Sequence, residues 1–326
     1  MSDKKRIVIF GGAGYLGSML VHQLLDMNFQ VDVFDSLRFG SASLEALNGH
    51  PDLCFIEEDI RNVHAVTDAV QGAYGVILLA ALVGEPACDI DPRETAEINF
   101  LATKMVAETC RYFEVPRFIF ASTDSVYGIR EGIMREDSSK NPISLYAQLK
   151  LRAEEEILGL SNGNFSATVL RMATLYGCSP RMRFDLVVNI LSLHATLNGR
   201  IRIFGGKQWR PFVHVADAAQ AYGLVLNAPL DRVGGEIFNV GSNDQNYRVG
   251  ELGNFVQQVF PEVEIETIPQ DPDLRDYYVN CDKITDSLRF VPHMQIIDGI
   301  REVKDWIHSG RITDPHADWH YNVPRQ

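Results

Sequence analysis

In the first half of the chain, short continuous apolar runs alternate with stretches whose apolar residues recur at helical spacing. The run 7–10, Ile-Val-Ile-Phe, ends at glycine and reads as a strand covered on both faces. Residues 15–25 read as a helix. The same criteria predict strands at 31–34, 54–56, 76–80, 118–121 and 167–170, and helices at 96–113 and 145–158. Such alternation predicts an α/β fold: a parallel sheet with helices on both faces, joined by right-handed crossovers. After Tyr176 the regularity weakens. Helical patterns at 186–197, 216–226, 252–260 and 297–307 mix with strand patterns at 201–204, 212–215 and 237–240, which predicts a smaller, interleaved second lobe. The stretch after Ser309, rich in His, Trp and Pro, carries no readable role.

A length of 326 residues suits two units or one large α/β unit. Asp plus Glu number 43 against 30 Lys plus Arg, a net charge of -13, which repels nucleic-acid phosphates and argues against a DNA or RNA partner. A few local arginines can still hold an anionic small ligand. The cysteines at 54, 88, 110, 178 and 281 are odd in number, widely spaced and free of C-x-x-C, as expected of reduced thiols in a cytosolic protein without a disulfide frame or zinc site. The longest apolar run, 76–83, is too short to span a membrane. A cytoplasmic protein without a membrane partner is the expectation.

The strongest local signal is Gly11-Gly12-Ala13-Gly14-Tyr15-Leu16-Gly17, between the first strand and the first helix. Gly11 suits the tight turn, Gly14 admits a pyrophosphate to the backbone, and Gly17 lets helix pack on strand. The free N–H groups and dipole of the helix start favour an anion. The motif has its required context, because Asp35 closes the next strand 18 residues after Gly17. A carboxylate there accepts from both ribose hydroxyls of an adenosine and repels a 2′-phosphate, so NAD is favoured over NADP, with Arg38 nearby as a counterweight. Asp59-Ile60 follows the third strand; it can flank the adenine, and Asp59 can equally cap a helix.

Tyr146 and Lys150 share one face of a predicted helix, four residues apart. A nearby ammonium favours the phenolate, which suits Tyr146 to general acid–base work on a sugar hydroxyl or a ketone. Lys150 can also hold the nicotinamide ribose. Thr123 stands at a predicted strand end, where ligands meet an open parallel sheet, and can bond the same substrate oxygen; the alternative is an ordinary turn hydroxyl. Asn99, a poor helix filler, either bends its helix or holds water, or is simply exposed. Glu154-Glu155-Glu156 reads as a solvated helix face.

Together these pieces resemble the extended short-chain dehydrogenase/reductase superfamily, in its nucleotide-sugar epimerase/dehydratase branch. The resemblance also rests on Leu79-Ala80-Ala81, Ser122-Thr123 with Val126-Tyr127-Gly128, Leu170-Arg171 with Leu175-Tyr176-Gly177, the run 210–217 (Arg-Pro-Phe-Val-His-Val-Ala-Asp) and Phe238-Asn239-Val240-Gly241. It implies a Rossmann-type, doubly wound, seven-stranded domain, here 1–175 with 214–241, and a C-terminal nucleotide-sugar lobe, 176–213 with 242–326. It implies Thr123, Tyr146 and Lys150 as the catalytic set. For the cofactor it implies Gly11, Gly14, Tyr15, Leu16, Asp35, Asp59, Ile60 and Ala80 beside Tyr146 and Lys150. Arg210 and Arg275 are implied as the grip on the diphosphate of the nucleotide sugar, with Arg181 and Arg183 adding contacts. His214 reads as a packed structural histidine, and no metal site is expected. A homodimer is implied through the helices near 96–113 and 145–158, paired as a four-helix bundle.

The shared reaction of this branch starts by oxidising a sugar carbon, typically C4. Dehydratases carry Thr-Asp-Glu before Val-Tyr-Gly; Thr123-Asp124-Ser125 lacks the Glu. The expectation is therefore an NAD-dependent nucleotide-sugar 4-epimerase. Residues 80–84, 179–185 and 271–277 also resemble a subgroup containing GDP-heptose 4-dehydrogenases, which leaves a redox-only dehydrogenase or ketoreductase as the alternative. A non-catalytic NAD sensor and a reductase of an apolar ketone are further readings. Tyr146 with Lys150 argues against the first, and Arg210 with Arg275 against the second.

Overall fold

The computed structural model describes residues 4–269 and 273–323. Strand β1 (Arg6–Phe10) runs through the middle of the main sheet, and its side chains alternate between two separate cores. Ile7 and Ile9 enter one core and Val8 and Phe10 the other, all fully buried, as a parallel sheet covered on both faces requires. Helix α1 (Tyr15–Asp26) follows, then β2 (Gln30–Asp35), β3 (Leu53–Glu57), α2 (Val63–Val70) and β4 (Gly75–Leu78). Next come α3 (Glu85–Ile90), α4 (Pro92–Ala96), α5 (Thr103–Tyr112), β5 (Arg117–Thr123), β6 (Ile129–Met134), α6 (Leu145–Gly159), β7 (Ser166–Met172) and β8 (Thr174–Tyr176). The remainder holds α7 (Val187–Asn198), β9 (Arg200–Phe204), β10 (Trp209–His214), α8 (Val215–Asn227), α9 (Leu230–Val233) and β11 (Ile237–Val240). It closes with β12 (Asn246–Arg248), α10 (Leu252–Val259), β13 (Glu264–Ile268), β14 (Asp276–Val279), α11 (Asp282–Leu288) and α12 (Ile296–His308).

Among the described residues, seven parallel strands form the Rossmann-like main sheet in the order β11-β7-β5-β4-β1-β2-β3. The chain builds outward from β1 to β3, then returns to lay β4 on the other side of β1. That reversal opens a crevice at the carboxyl ends of β1 and β4. Helices α1 and α8 cover one face, and α2, α5 and α6 the other. The second lobe has its own core, built from Tyr176, Leu191, Ile203, Phe212, Leu252 and Ile300. The C-terminal segment folds back onto the molecule, burying Ile312 and Tyr321 against Tyr15 and Phe184.

The helix expected over 96–113 is interrupted. Residues Glu97–Ala102 form a π-helix between α4 and α5. Asn99 sits in that wide turn, fully buried, with its Oδ1 accepting from the Leu82 N–H and its Nδ2 donating to the Leu82 carbonyl, both at 2.8 Å. The extra residue in the turn aims the amide at the loop after β4, so Asn99 is a brace and not an exposed filler. The Glu154–Glu156 reading also needs correction. Glu155 and Glu156 are exposed, but Glu154 is buried and pairs with Arg171. Strand β6 escapes the sequence pattern because its apolar residues Ile129 and Ile133 are solvated; its partner β14 is only four residues long. Of the stretch 271–277, Asp271 and Pro272 lie outside the described residues. The five cysteines are unpaired, and among the described residues no helix is long and apolar enough to cross a membrane.

Candidate functional site

The crevice opens into a cavity of about 1200 Å³, and every residue expected to act in catalysis, cofactor binding or substrate binding borders it. At one end stands the glycine loop. A Cβ on Gly11, whose φ is +87°, would lie 2.7 Å from the Ala80 nitrogen, and one on Gly17 would lie 2.1 Å from the Gly11 carbonyl oxygen. Only glycine lets the turn after β1 meet the β4 loop while α1 rises tightly from it. No side chain caps the start of α1 and no acid lies in its first turn, so its N–H groups and dipole are left for an anion.

Asp35 braces this loop. Its Oδ2 accepts from the Ala13 N–H and its Oδ1 from the Leu37 N–H, each at 2.9 Å. Burial pushes its carboxyl up, and the two amides oppose that. Arg38 is half exposed and pairs with Glu94 at 3.2 Å. Asp59 does not cap a helix; its carboxylate forks onto Arg61 at 2.7 and 3.0 Å, while Asn62 caps α2. Ile60 is buried.

Tyr146 and Lys150 are buried on α6, which starts at a Ser144 cap. Lys150 Nζ donates to the Ala121 carbonyl at 2.8 Å and lies 4.6 Å from the Phe120 ring centroid. Burial pulls this ammonium down to about 8. Burial also pushes the Tyr146 phenol up, with Glu85 and Cys88 adding to the rise; Arg183 and the Thr123 hydroxyl oppose it. Arg183 is thus a cation whose field favours the phenolate, while Lys150 is bonded to the β5 backbone. Thr123 ends β5, and its Oγ1 also accepts from the Ser125 N–H at 3.1 Å, so it serves the turn as well as facing the cavity.

Arg210 on β10 and Arg275 before β14 also border the cavity. Asp273 lies between them, 2.9 Å from Arg210 Nη2 and 2.6 Å from Arg275 Nη2. Against its burial, the two guanidiniums hold its carboxyl far below the usual range. Arg275 Nη1 also meets Glu85 and the Ser125 hydroxyl, both at 2.9 Å. Arg183 forks onto Asp185 at 2.9 and 2.7 Å. Arg181, expected on the substrate side with Arg183, instead stands at the cofactor end, with its guanidinium carbon 4.0 Å from the Phe39 ring centroid and the Asp35 charge acting on it. His214 is buried and caps α8.

Sequence reasoning missed Glu85, Asp273 and Asn322, all of which border the cavity. Gly84-Glu85-Pro86 carries a legible helix start; Asn322 has no local signal. Asp124 does not border the cavity, and both its carboxyl oxygens are buried without a hydrogen-bond partner among the described residues. Burial pushes that carboxyl well up. Among the described residues no three His, Cys, Asp or Glu side chains cluster as a metal site.

The sequence pattern of the NAD dependent epimerase/dehydratase family matches residues 7–241. A UDP-glucose 4-epimerase of Azospirillum brasilense is 26% identical over 332 residues, covering 93% of this chain and 92% of that protein. A UDP-N-acetyl-alpha-D-glucosaminuronate decarboxylase of Bacillus cytotoxicus is 28% identical over 330 residues, covering 93% of this chain and 98% of that protein. Among solved structures, MoeE5 in complex with UDP-glucuronic acid and NAD superposes with a TM-score of 0.81 at 27% identity, covering 94% of this chain and 99% of that one.

Proposed function

This chain belongs to the NAD dependent epimerase/dehydratase family, and on that premise we propose that it is a nucleotide-sugar 4-epimerase that keeps its NAD through each cycle. It is an NAD-dependent enzyme of the extended short-chain dehydrogenase/reductase type. The uncapped α1 start, the close-packed glycine loop and the Asp35 carboxylate fit a dinucleotide. Bound there, NAD supplies a hydride acceptor that can return the hydride to the same carbon. In this reading residues 1–175 with 214–241 hold NAD, and residues 176–213 with 242–326 hold the nucleotide sugar.

The chain's own residues divide the remaining work. Tyr146 takes the proton of the C4 hydroxyl and later returns it, and Thr123 bonds the same oxygen. Arg183 favours the phenolate that this needs. Lys150 donates to a ribose hydroxyl with the N–H groups that Ala121 leaves over. Arg210 and Arg275 grip the sugar nucleotide's diphosphate, for which paired guanidinium forks are suited. The observation that carries the reading is one shared cavity, bordered by a buried phenol, a glycine cradle and two arginines. Dehydration is disfavoured because Asp124 lies off the cavity and the position after it is Ser125, held by Arg275.

The test is incubation of the protein with UDP-, GDP-, CDP- and dTDP-sugars. NMR is expected to show one sugar converted to its C4 epimer without accumulation of NADH. Net NADH release without an epimer overturns the epimerase and supports a GDP-heptose-type 4-dehydrogenase. Tyr146→Phe is expected to lose roughly 100- to 10,000-fold in kcat; wild-type turnover in that variant removes Tyr146 from its role.

The reading includes a homodimer paired as a four-helix bundle through the helical stretches 96–113 and 145–158. Leu101 and Tyr112, 57% and 80% exposed, support it, because large apolar side chains at such exposure suit a covering partner. Light scattering is expected to give a dimer, and a Leu101→Lys/Tyr112→Lys variant a monomer; a monomeric wild type ends this part of the reading.

A further inference from the structure

We propose, on the reading that Arg210 and Arg275 grip the diphosphate of the nucleotide sugar, that Asp273 competes with that diphosphate for both arginines: it is displaced when the sugar nucleotide binds and returns to help release the product.

Asp273 occupies the fork of Arg275. Its Oδ1 accepts from Arg275 Nε at 2.8 Å and its Oδ2 from Arg275 Nη2 at 2.6 Å. That paired geometry is the one in which a guanidinium meets two phosphate oxygens. On its other side Arg275 Nη1 donates to the Ser125 hydroxyl and meets Glu85, both at 2.9 Å. All three nitrogens of Arg275 therefore have partners. Its fork reaches a phosphate only when the Asp273 carboxylate leaves it.

The same carboxylate serves Arg210 poorly. Arg210 is buried, and its Nη1 donates to the carbonyls of Trp209, at 2.7 Å, and Arg275. Its Nη2 lies 2.9 Å from Asp273 Oδ2, close enough for an ion pair, yet this buried nitrogen makes no hydrogen bond among the described residues. One carboxylate does not align with both guanidiniums at once. A diphosphate can turn one phosphate group to each, and a buried donor left without an acceptor favours the exchange. Asp273 thus holds the arginines in place without being their best ligand.

Charge and exposure act in the same direction. Arg210 and Arg275 face Asp273 and Glu85, so the set carries no net charge while Asp273 stays. A diphosphate is repelled by Asp273 in place and meets a net positive site once it has turned away. The Asp273 side chain is 36% exposed, against 5% for Arg210 and 23% for Arg275. The carboxylate is therefore the member with water to turn to, where it is hydrated again. The two guanidiniums hold its carboxyl well below the usual range, so the competitor is charged at neutral pH. An enzyme that keeps NAD must still exchange its sugar nucleotide at every turnover, and a competitor for the diphosphate serves that exchange.

The test uses the full chain and the variants Asp273→Asn, Asp273→Ala and Arg210→Leu, each checked for folding by circular dichroism melting. Calorimetry in the presence of NAD measures affinity for inorganic pyrophosphate, UDP, GDP, CDP and dTDP. Affinity for NAD itself, after removal of bound nucleotide, is the control. Stopped-flow displacement measures release of the nucleoside diphosphate that binds wild type best. Asp273→Asn is expected to bind pyrophosphate and that nucleoside diphosphate roughly tenfold tighter, with NAD within about twofold. It is expected to release the nucleoside diphosphate several-fold more slowly. Asp273→Ala is expected to do the same, and it carries the test where asparagine does not fold. Unchanged or weaker affinity overturns the proposal, because Asp273 then only positions the arginines. So does an equal gain for NAD. Arg210→Leu is expected to lose pyrophosphate and nucleoside diphosphate binding. If it binds them as wild type does, the diphosphate grip itself fails. If it loses them while the Asp273 variants gain nothing, the grip stands and the competitor alone is overturned.

Discussion

Glu154 and Arg171 meet in the interior of the protein, with Arg171 Nη2 2.6 Å from Glu154 Oε2 and neither side chain more than 2% exposed. Arg171 also donates to the Tyr127 hydroxyl at 3.0 Å and to the Glu136 carbonyl at 3.1 Å, and Ser122 donates to Glu154. The pair joins α6, which carries Tyr146 and Lys150, to β7 and to the segment after β5. Glu154→Leu strands a buried guanidinium, and a loss of about 3–5 kcal/mol in chemical denaturation is expected. The double variant Glu154→Leu/Arg171→Met is expected to lose less than the sum of the two single changes.

Arg183 favours ionisation of Tyr146, so Arg183→Met moves the phenol further up. The pH profile for oxidation of the sugar is expected to shift its rising limb to higher pH, with activity at neutral pH falling most. A loss that is the same at every pH would assign Arg183 to substrate grip alone.

Lys150 has a folded value of about 8, below its ordinary 10.5. Below pH 8 it is charged both folded and unfolded, and its burial costs stability. As pH rises from about 8 to about 10 the unfolded state binds more protons, so that cost is progressively relieved, by roughly 3 kcal/mol at most. Lys150→Met is expected to lose activity yet melt at or above wild type at pH 7, with the gap narrowing toward pH 10.

Asp124 shows the opposite sign. Its folded carboxyl titrates well above the usual range because it is buried, so the folded state keeps a proton that the unfolded state releases near pH 4. Wild-type stability therefore drains through this group as pH rises from about 4 toward the folded value. Asp124→Asn, compared with wild type by thermal melting, is expected to gain stability steadily as pH rises above about 4.

Asn99 holds both polar backbone groups of Leu82, a residue that borders the cavity. Asn99→Ala leaves the Leu82 N–H unmet and its carbonyl with only the Cys88 thiol, and a destabilisation of about 1–3 kcal/mol is expected. Weaker NAD binding should accompany it, because the loop after β4 loses its brace; calorimetry checks this.

The sequence alone carried the strand–helix alternation, the glycine loop with Asp35 behind it, and the placing of Tyr146 and Lys150 on one helix face. These depend on neighbours a few residues apart, where periodicity and backbone sterics act. Which charges meet was decided only by the tertiary structure. Glu154 and Glu155 are adjacent in the chain, yet one is sealed on Arg171 and the other is in water. Lys150 turns to a β5 carbonyl while Arg183 acts on Tyr146, and Asn322 reaches Val83 from 239 residues away. Ion pairing and desolvation follow distance in space and exclusion of water, and spacing along a chain encodes neither.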